Sequence, residues 1–243
     1  MKIRLFTIPN LLTLSNLLCG VVATVVALTR GDLALAFWLM VLAAAFDFLD
    51  GFVARLLGQS GPLGMQLDSL ADDVTFGVLP AAVLYVLYGR ASGGALPDWA
   101  AWSVFVLPLC AALRLAKFNI DDTQRTEFCG LPSPAAALFC ASLGYVATHC
   151  GWALPREAIV GAAFVMGALM IAPVRMFALK FHGFGWRGNE LRWSFVGVAL
   201  AGLCLFGVRA VPAIILLYIV ASTVRWLLLR GAAPLVPQDR RGD

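Results

Sequence analysis

Eight apolar runs follow one another along the chain, at about 10–29, 33–54, 67–88, 98–118, 132–152, 157–175, 192–208 and 211–229. A helix rises about 1.5 Å per residue, so about 20 apolar residues cross a hydrocarbon core of ~30 Å. Each run is near that length, which predicts helices and not strands. Polar breaks separate them, such as Thr29-Arg30-Gly31-Asp32 and Gly89-Arg90-Ala91-Ser92-Gly93-Gly94; the last two runs are divided only by Arg209 and Pro212. The first run has the length of a signal peptide, but seven more follow it, so an uncleaved first span is expected. The expected fold is all-α, a polytopic transmembrane helical bundle of about eight spans.

Composition narrows the class further. Hydrophobic residues make up 61% of the 243 and charged residues 13%, with a mean hydropathy of +0.87. Soluble domains carry roughly 25% charged residues to solvate their surface, so this chain is not one. A net charge of +4 on 18 Lys and Arg is too dilute to suggest nucleic acid as a partner; the lipid bilayer is the expected one. The six cysteines form no CxxC pair and lie mostly in apolar stretches, where thiols act as small hydrophobes.

The placement of the basic residues carries more information than their sum. With the N-terminus in the cytoplasm and eight crossings, Lys2, Arg4, Arg55, Arg114, Lys117, Arg125, Arg175, Lys180, Arg187, Arg192, Arg225, Arg230, Arg240 and Arg241 fall on the cytoplasmic side. Arg30, Arg90, Arg156 and Arg209 fall on the other. A split of fourteen to four follows the positive-inside rule and predicts that both termini are cytoplasmic. No internal repeat or long hydrophilic insert divides the chain. Residues 1–230 are expected to form one integral membrane domain and residues 231–243, with Pro234 and Pro237, a short cytoplasmic tail.

Against this apolar background stand four carboxylates, Asp47, Asp50, Asp68 and Asp72, in the second and third runs. An Asp in the middle of a spanning helix costs about 2.5–3.5 kcal/mol on insertion scales, and Arg55 alone cannot neutralise four. Asp47 and Asp50 are three apart and Asp68 and Asp72 four apart, so each pair shares one helical face. The intervening stretch from Leu57 to Leu63, with Gly58, Gly61 and Pro62, turns the chain so that the pairs can face each other. Carboxylate oxygens suit Mg²⁺ or Mn²⁺, and one such divalent cation, or two, can offset the charge. Gly51 and Ala54 extend the Asp47/Asp50 side with small residues, which allows a bulky ligand close to the backbone. In the orientation above, the cluster lies near the cytoplasmic headgroup level. Transporters more often place such groups at the midplane. A metal site at headgroup depth suits chemistry joining a water-soluble group to a lipid.

These residues carry a resemblance. Asp47, Asp50, Gly51, Ala54, Arg55, Gly64, Asp68 and Asp72, in the pattern Asp-x2-Asp-Gly-x2-Ala-Arg-x8-Gly-x3-Asp-x3-Asp, resemble the signature of the CDP-alcohol phosphotransferases. The resemblance implies that a CDP-linked donor passes its phosphoryl-alcohol group to an acceptor hydroxyl and releases CMP. It implies that the four Asp residues hold two metal ions and that Asp72 is also the base. Asp50, Gly51, Ala54, Arg55 and Gly64 would contact the CDP moiety, with Asn10 and Thr13 on the first helix as further candidates. It also implies a homodimer in a bacterial plasma membrane with its active site on the cytoplasmic side.

The acceptor is narrowed by other segments. Ile8-Pro9-Asn10, Thr13, Asn16 and Gly20, then Phe76-Gly77, Arg114 to Asn119 and Gly130-Leu131-Pro132-Ser133-Pro134, are similar to the phosphatidylserine synthase branch. That likeness extends to about residue 195. It implies CDP-diacylglycerol and L-serine as substrates, with Arg114 gripping the serine carboxylate, since a guanidinium binds a carboxylate bidentately, and Lys117 and Asn119 close by. An equal alternative for Arg114 and Lys117 is anionic headgroup binding. Asp73 occupies the position after the fourth Asp, where glycerol phosphate enzymes usually carry Lys; its negative charge disfavours an anionic acceptor, and its own role stays open. Glycerol phosphate or inositol phosphate remains the alternative acceptor. A metal transporter using the Asp cluster remains the alternative class, although it would not need Gly51, Ala54, Arg55 and Gly64 beside the carboxylates.

Overall fold

A computed structural model describes residues 5–91, 93–121, 128–177 and 189–232. Lys2, Arg4, Arg125, Lys180, His182, Arg187, Arg240 and Arg241, with most of the expected tail, lie outside the described residues, as does the side chain of Arg230. The chain is almost entirely helical. Helices α1 (Ile8–Arg30), α2 (Leu33–Leu56), α3 (Pro62–Asp72), α4 (Leu79–Arg90), α5 (Val106–Ile120), α6 (Ser133–Cys150), α7 (Arg156–Ile171), α8 (Glu190–Phe206) and α9 (Val211–Ala232) follow in order. The expected all-α class needs one small addition. Strands β1 (Phe128–Cys129) and β2 (Arg175–Met176) pair antiparallel over two residues.

Among the described residues, five stretches are long and apolar enough to cross a membrane: Ile8–Arg30, Leu33–Leu56, Pro62–Arg90, Asp98–Ile120 and Glu190–Leu228. Apolar side chains such as Leu18, Trp38, Leu109 and Leu205 face outward, as a membrane protein requires. The third run begins at Pro62 and not near residue 67. Proline fits the first helical turn, where its missing N–H is not needed, so the helix starts as soon as the Gly58–Gly61 turn permits. The sixth run ends early, at Ile171, because Pro173 cannot continue a helix and the chain passes into β2.

The caps explain the tight link between α1 and α2. Thr7 caps α1 by accepting from the Asn10 N–H at 3.3 Å, and the helix closes on Gly31 at φ 62°, whose N–H returns to the Ala27 carbonyl. Asp32 then caps α2 by accepting from the Leu35 N–H at 2.9 Å. The two helices consequently run antiparallel in close contact.

The most buried stretch is Pro62–Arg90, with 67% of its apolar window inside the bundle against 22% for Glu190–Leu228. It is not a uniform helix. Between α3 and α4 lies a π-helical turn, Asp73–Val78, in which the Leu79 N–H reaches back to Val74. Pro80 follows; it has no N–H to offer the Phe76 carbonyl, and its ring crowds that turn. Wider turns of this kind recur at functional sites, and this one begins one residue past Asp72. Helix α1 lies against it closely. A Cβ on Gly20 would sit 2.3 Å from Thr75 Oγ1, so only glycine permits this approach.

Candidate active site

Helix α1 presents a stripe of buried residues, Asn10, Thr13, Asn16 and Gly20, spaced three, three and four apart. Such spacing keeps them on one face, and that face meets the aspartates. Thr13 Oγ1 lies 3.1 Å from the Pro9 carbonyl and 2.5 Å from Asp50 Oδ2. Asn16 Nδ2 donates to Asp72 Oδ1 at 3.2 Å, while Asn16 Oδ1 accepts from Thr75 Oγ1 at 2.8 Å. The π-helical turn thus supplies the residue that orients Asn16, and Asn16 in turn holds Asp72.

The turn after α2 folds α3 back along it, and the carboxylates converge. One oxygen each from Asp47, Asp50 and Asp68 lies within 4.8 Å of the others. Asp72 is buried beside this trio, in electrostatic contact with Asp47 and Asp68. Asp68 Oδ1 is buried and has no hydrogen-bond partner. Among the described residues no lysine or arginine pairs with any of the three. Three anions packed this closely in a low-dielectric surround require a cation, and all-oxygen donors fit a hard divalent ion. The donor set and the unmet oxygen therefore fit a metal site.

Beside the trio opens a cleft of about 230 Å³. Its walls include all seven residues expected to contact a nucleotide: Asn10, Thr13, Asp50, Gly51, Ala54, Arg55 and Gly64. Asp68 of the trio also lines it. The cleft also takes in Pro9, Gln59, Ser60, Gly61 and Met65, which periodicity alone does not single out because they sit in the turn or at a helix start. A Cβ added at Gly51 meets no protein atom within 4 Å. Packing against the protein is therefore not what calls for glycine there, and the open space lies on the side from which a ligand approaches.

The three candidate acceptor residues separate. Arg114 Nη1 donates to Ser133 Oγ at 2.9 Å, and its guanidinium faces Asp72 and Tyr218. Lys117 Nζ instead approaches Cys129 Sγ at 3.7 Å. Asn119 Nδ2 donates to Ser69 Oγ at 2.8 Å. Only Arg114 faces the aspartates. Asp73 is half-buried with Oδ1 unpartnered, and that oxygen lies against Gly77 one turn on.

Asn16 stands in the sequence pattern without a role, and its one signal is its place on the Asn10/Thr13 face. Tyr218 of α9, which faces Arg114, carries no signal at all, because a Tyr within an apolar helix looks like an ordinary span residue.

Comparison with known proteins agrees with this geometry. The family model for CDP-alcohol phosphatidyltransferase matches residues 6–178. A CDP-diacylglycerol–serine O-phosphatidyltransferase of Helicobacter pylori is 31% identical over 236 residues, 93% of each chain. The Methanocaldococcus jannaschii protein of the same name is 38% identical over 135 residues, covering 56% of this chain and 59% of its own. The Bacillus subtilis one is 34% identical over 140 residues, 57% of this chain and 75% of its own. The match to the family model includes the aspartate-bearing helices. The chain belongs to the CDP-alcohol phosphatidyltransferase family.

Proposed function

We propose that this protein transfers the phosphatidyl group of CDP-diacylglycerol to L-serine, giving phosphatidylserine and CMP. The observation that carries the reading is the juxtaposition of the glycine-walled cleft, the aspartate trio and the Arg114-facing base, together with the activity named for the relatives. In this mechanism the serine hydroxyl oxygen attacks the phosphorus that bears diacylglycerol. A new P–O bond forms, the pyrophosphate P–O bond breaks in line with it, and CMP leaves with the bridging oxygen. Asp72 takes the hydroxyl proton, with Asn16 fixing one of its oxygens so that the carboxylate stays aimed. Asp47, Asp50, Asp68 and Asp72 would hold Mg²⁺ or Mn²⁺, two ions in all, which would supply positive charge to offset that of the pyrophosphate. Asp50, Gly51, Ala54, Arg55 and Gly64, with Asn10 and Thr13, line the space for CDP. Arg114 takes the serine carboxylate.

The topology proposed with this reading has eight crossings, both termini cytoplasmic and the cleft opening to the cytoplasm of a bacterial plasma membrane, in a homodimer. The fourteen-to-four distribution of Lys and Arg supports the orientation. A reporter active only outside the membrane, fused after Asp243, should stay silent; activity there refutes it. The function is tested with purified protein, CDP-diacylglycerol and Mn²⁺ or Mg²⁺. CMP release should require L-serine, and release with glycerol phosphate or inositol phosphate in its place overturns the acceptor assignment.

A further inference from the structure

A wide groove lies far from the aspartates. Helix α6 begins at Ser133, which meets Arg114, and ends at Cys150, about 25 Å farther along its axis. Cys150 lines a groove of about 580 Å³. Three helices wall it with residues four apart: Val146 and Cys150 on α6, Val198, Gly202 and Phe206 on α8, Ala213 and Leu217 on α9. That spacing gives one stripe per helix, and the stripe on α8 runs for about 12 Å. Val198 and Phe206 are 55% and 65% exposed, so the groove opens toward the bilayer. A Cβ on Gly202 would stand in ordinary contact with Ala210 at 3.5 Å. Packing therefore does not demand glycine there; its absent side chain leaves the groove wide.

The one charged side chain in the lining is Arg209. Helix α8 stops at Gly207, at φ 59°, and the 3-10 turn Gly207–Ala210 carries Arg209 to the Phe206 end of the groove. At the same end of the bundle, Arg90 is taken by the Gly31 carbonyl and Arg156 by Asp98 and the Leu96 carbonyl. Arg209 has no ion pair or hydrogen bond among the described residues. Trp152, 64% exposed, also lines the groove, and such rings sit at headgroup level.

An apolar slot ending in an exposed cation suits a ligand that is a hydrocarbon chain at one end and an anion at the other. A guanidinium binds a phosphate with paired N–H groups. The lining offers no carboxylate for an ammonium group, which favours an anionic phospholipid over a zwitterionic one. A second copy of the chain fits less well. A two-fold contact centred on the groove would set one Arg209 toward the other, with no acid in the lining to relieve them.

We propose that the groove between α6, α8 and α9 binds an anionic phospholipid in the leaflet opposite the aspartates, with its phosphate on Arg209 and an acyl chain along Val198, Gly202 and Phe206. This lipid is distinct from a CDP-linked donor, whose phosphates belong at the aspartates. The test is native mass spectrometry of the purified full chain in detergent, titrated with phosphatidylglycerol or phosphatidylcholine of identical acyl chains. Wild type should show one phosphatidylglycerol site that Gly202→Leu lacks, because the leucine side chain fills the slot. That site should prefer phosphatidylglycerol about fivefold, the scale of one cation beside anionic lipid, and Arg209→Gln should erase the preference. Excess glycerol phosphate should not displace the lipid. Equal preference in wild type and Arg209→Gln, or full lipid binding by Gly202→Leu, overturns the proposal. Displacement by glycerol phosphate also overturns it, since the anion would then bind without the chain. A dimer that Gly202→Leu dissociates assigns the groove to a second copy and overturns it too. Should Arg209→Gln misfold, Gly202→Leu decides by the loss of the site.

Discussion

The two ends of the bundle treat charge in opposite ways. Around the α4–α5 connection, polar groups find partners. Arg156 donates to the Leu96 carbonyl at 2.8 Å, pairs with Asp98 at 2.8 Å, and lies over the Tyr88 ring at 5.0 Å. Tyr88 donates to the Pro97 carbonyl, Glu157 accepts from the Ala95 and Leu96 N–H groups, and Arg90 donates to the Gly31 carbonyl. That end is a clasp which fastens loops to helices. Near the aspartates the polar groups are not all matched. The buried side-chain atoms left unpartnered among the described residues include Asp68 Oδ1 in the aspartate cluster, Asp73 Oδ1 one residue beyond Asp72, and Arg114 Nε, whose guanidinium faces Asp72. A fold that pairs its charges so fully around one connection shows that pairing was within reach. Unmet polarity at the other end is what a site for ions and charged substrates looks like before they arrive.

The comparison can be broken by mutating each end and reading both stability and turnover. At the open end, Asp68→Asn should reduce CMP release by about 10²–10³-fold, the scale of losing one preorganised electrostatic contact. In chelator-treated detergent solution the same variant should unfold no more readily than wild type, because one of several crowded like charges has gone. A loss of stability in metal-free protein would mean the aspartates are structural. At the clasped end, Arg156→Ala removes a carbonyl hydrogen bond, an ion pair and a ring contact, and should lower unfolding stability by about 2 kcal/mol. Its KM values should match wild type. Should Arg156→Ala cut turnover while leaving stability intact, the two ends do not divide the labour as described.

A smaller effect sharpens the boundary between cleft and scaffold. Gly51→Ala meets no protein atom within 4 Å, and within a helix alanine is favoured over glycine by up to about 1 kcal/mol. Stability should hold or rise. The added methyl intrudes on the space left for the donor nucleotide, so the KM for CDP-diacylglycerol should rise about tenfold with the serine KM unmoved. An unchanged donor KM would place the nucleotide elsewhere.

The same contrast divides what the amino-acid sequence makes legible from what it hides. The Asp47/Asp50 and Asp68/Asp72 spacings are legible because helical periodicity is local: partners three or four apart share a face whatever surrounds them. The residues of the cleft are legible for the same reason, through Gly51 and Ala54 beside the acids. Contacts between distant helices are not. Nothing local to Asn16 says that it will hold Asp72, and nothing local to Tyr218 says that it will face Arg114. Lys117, three residues on, shares the Arg114 face by spacing, yet its side chain ends at Cys129, and Asn119, five residues on, ends at Ser69; helical spacing fixes the face but not the partner across it. The π-helical turn is hidden too, although Pro80 is its local cause; a proline inside an apolar run signals a disturbance without saying which kind.

The smallest prediction concerns the outermost member of the clasp. The Asp98 side chain is 91% exposed, whereas Arg156 is 24% exposed. The ion pair between them is short, but one partner keeps nearly all of its hydration and is screened by salt. Exposed pairs contribute less than about 1 kcal/mol, and Arg156 retains the Leu96 carbonyl and the Tyr88 ring when Asp98 is neutralised. Asp98→Asn should therefore shift stability by well under half of what Arg156→Ala does, and the difference should vanish in high salt. A double mutant of the two, measured at low and high ionic strength, isolates the pair from the other contacts. Coupling that persists in high salt would mean that the clasp depends on the carboxylate. Coupling that fades with salt assigns its strength to the carbonyl and ring contacts beneath, which are the ones an apolar surround protects.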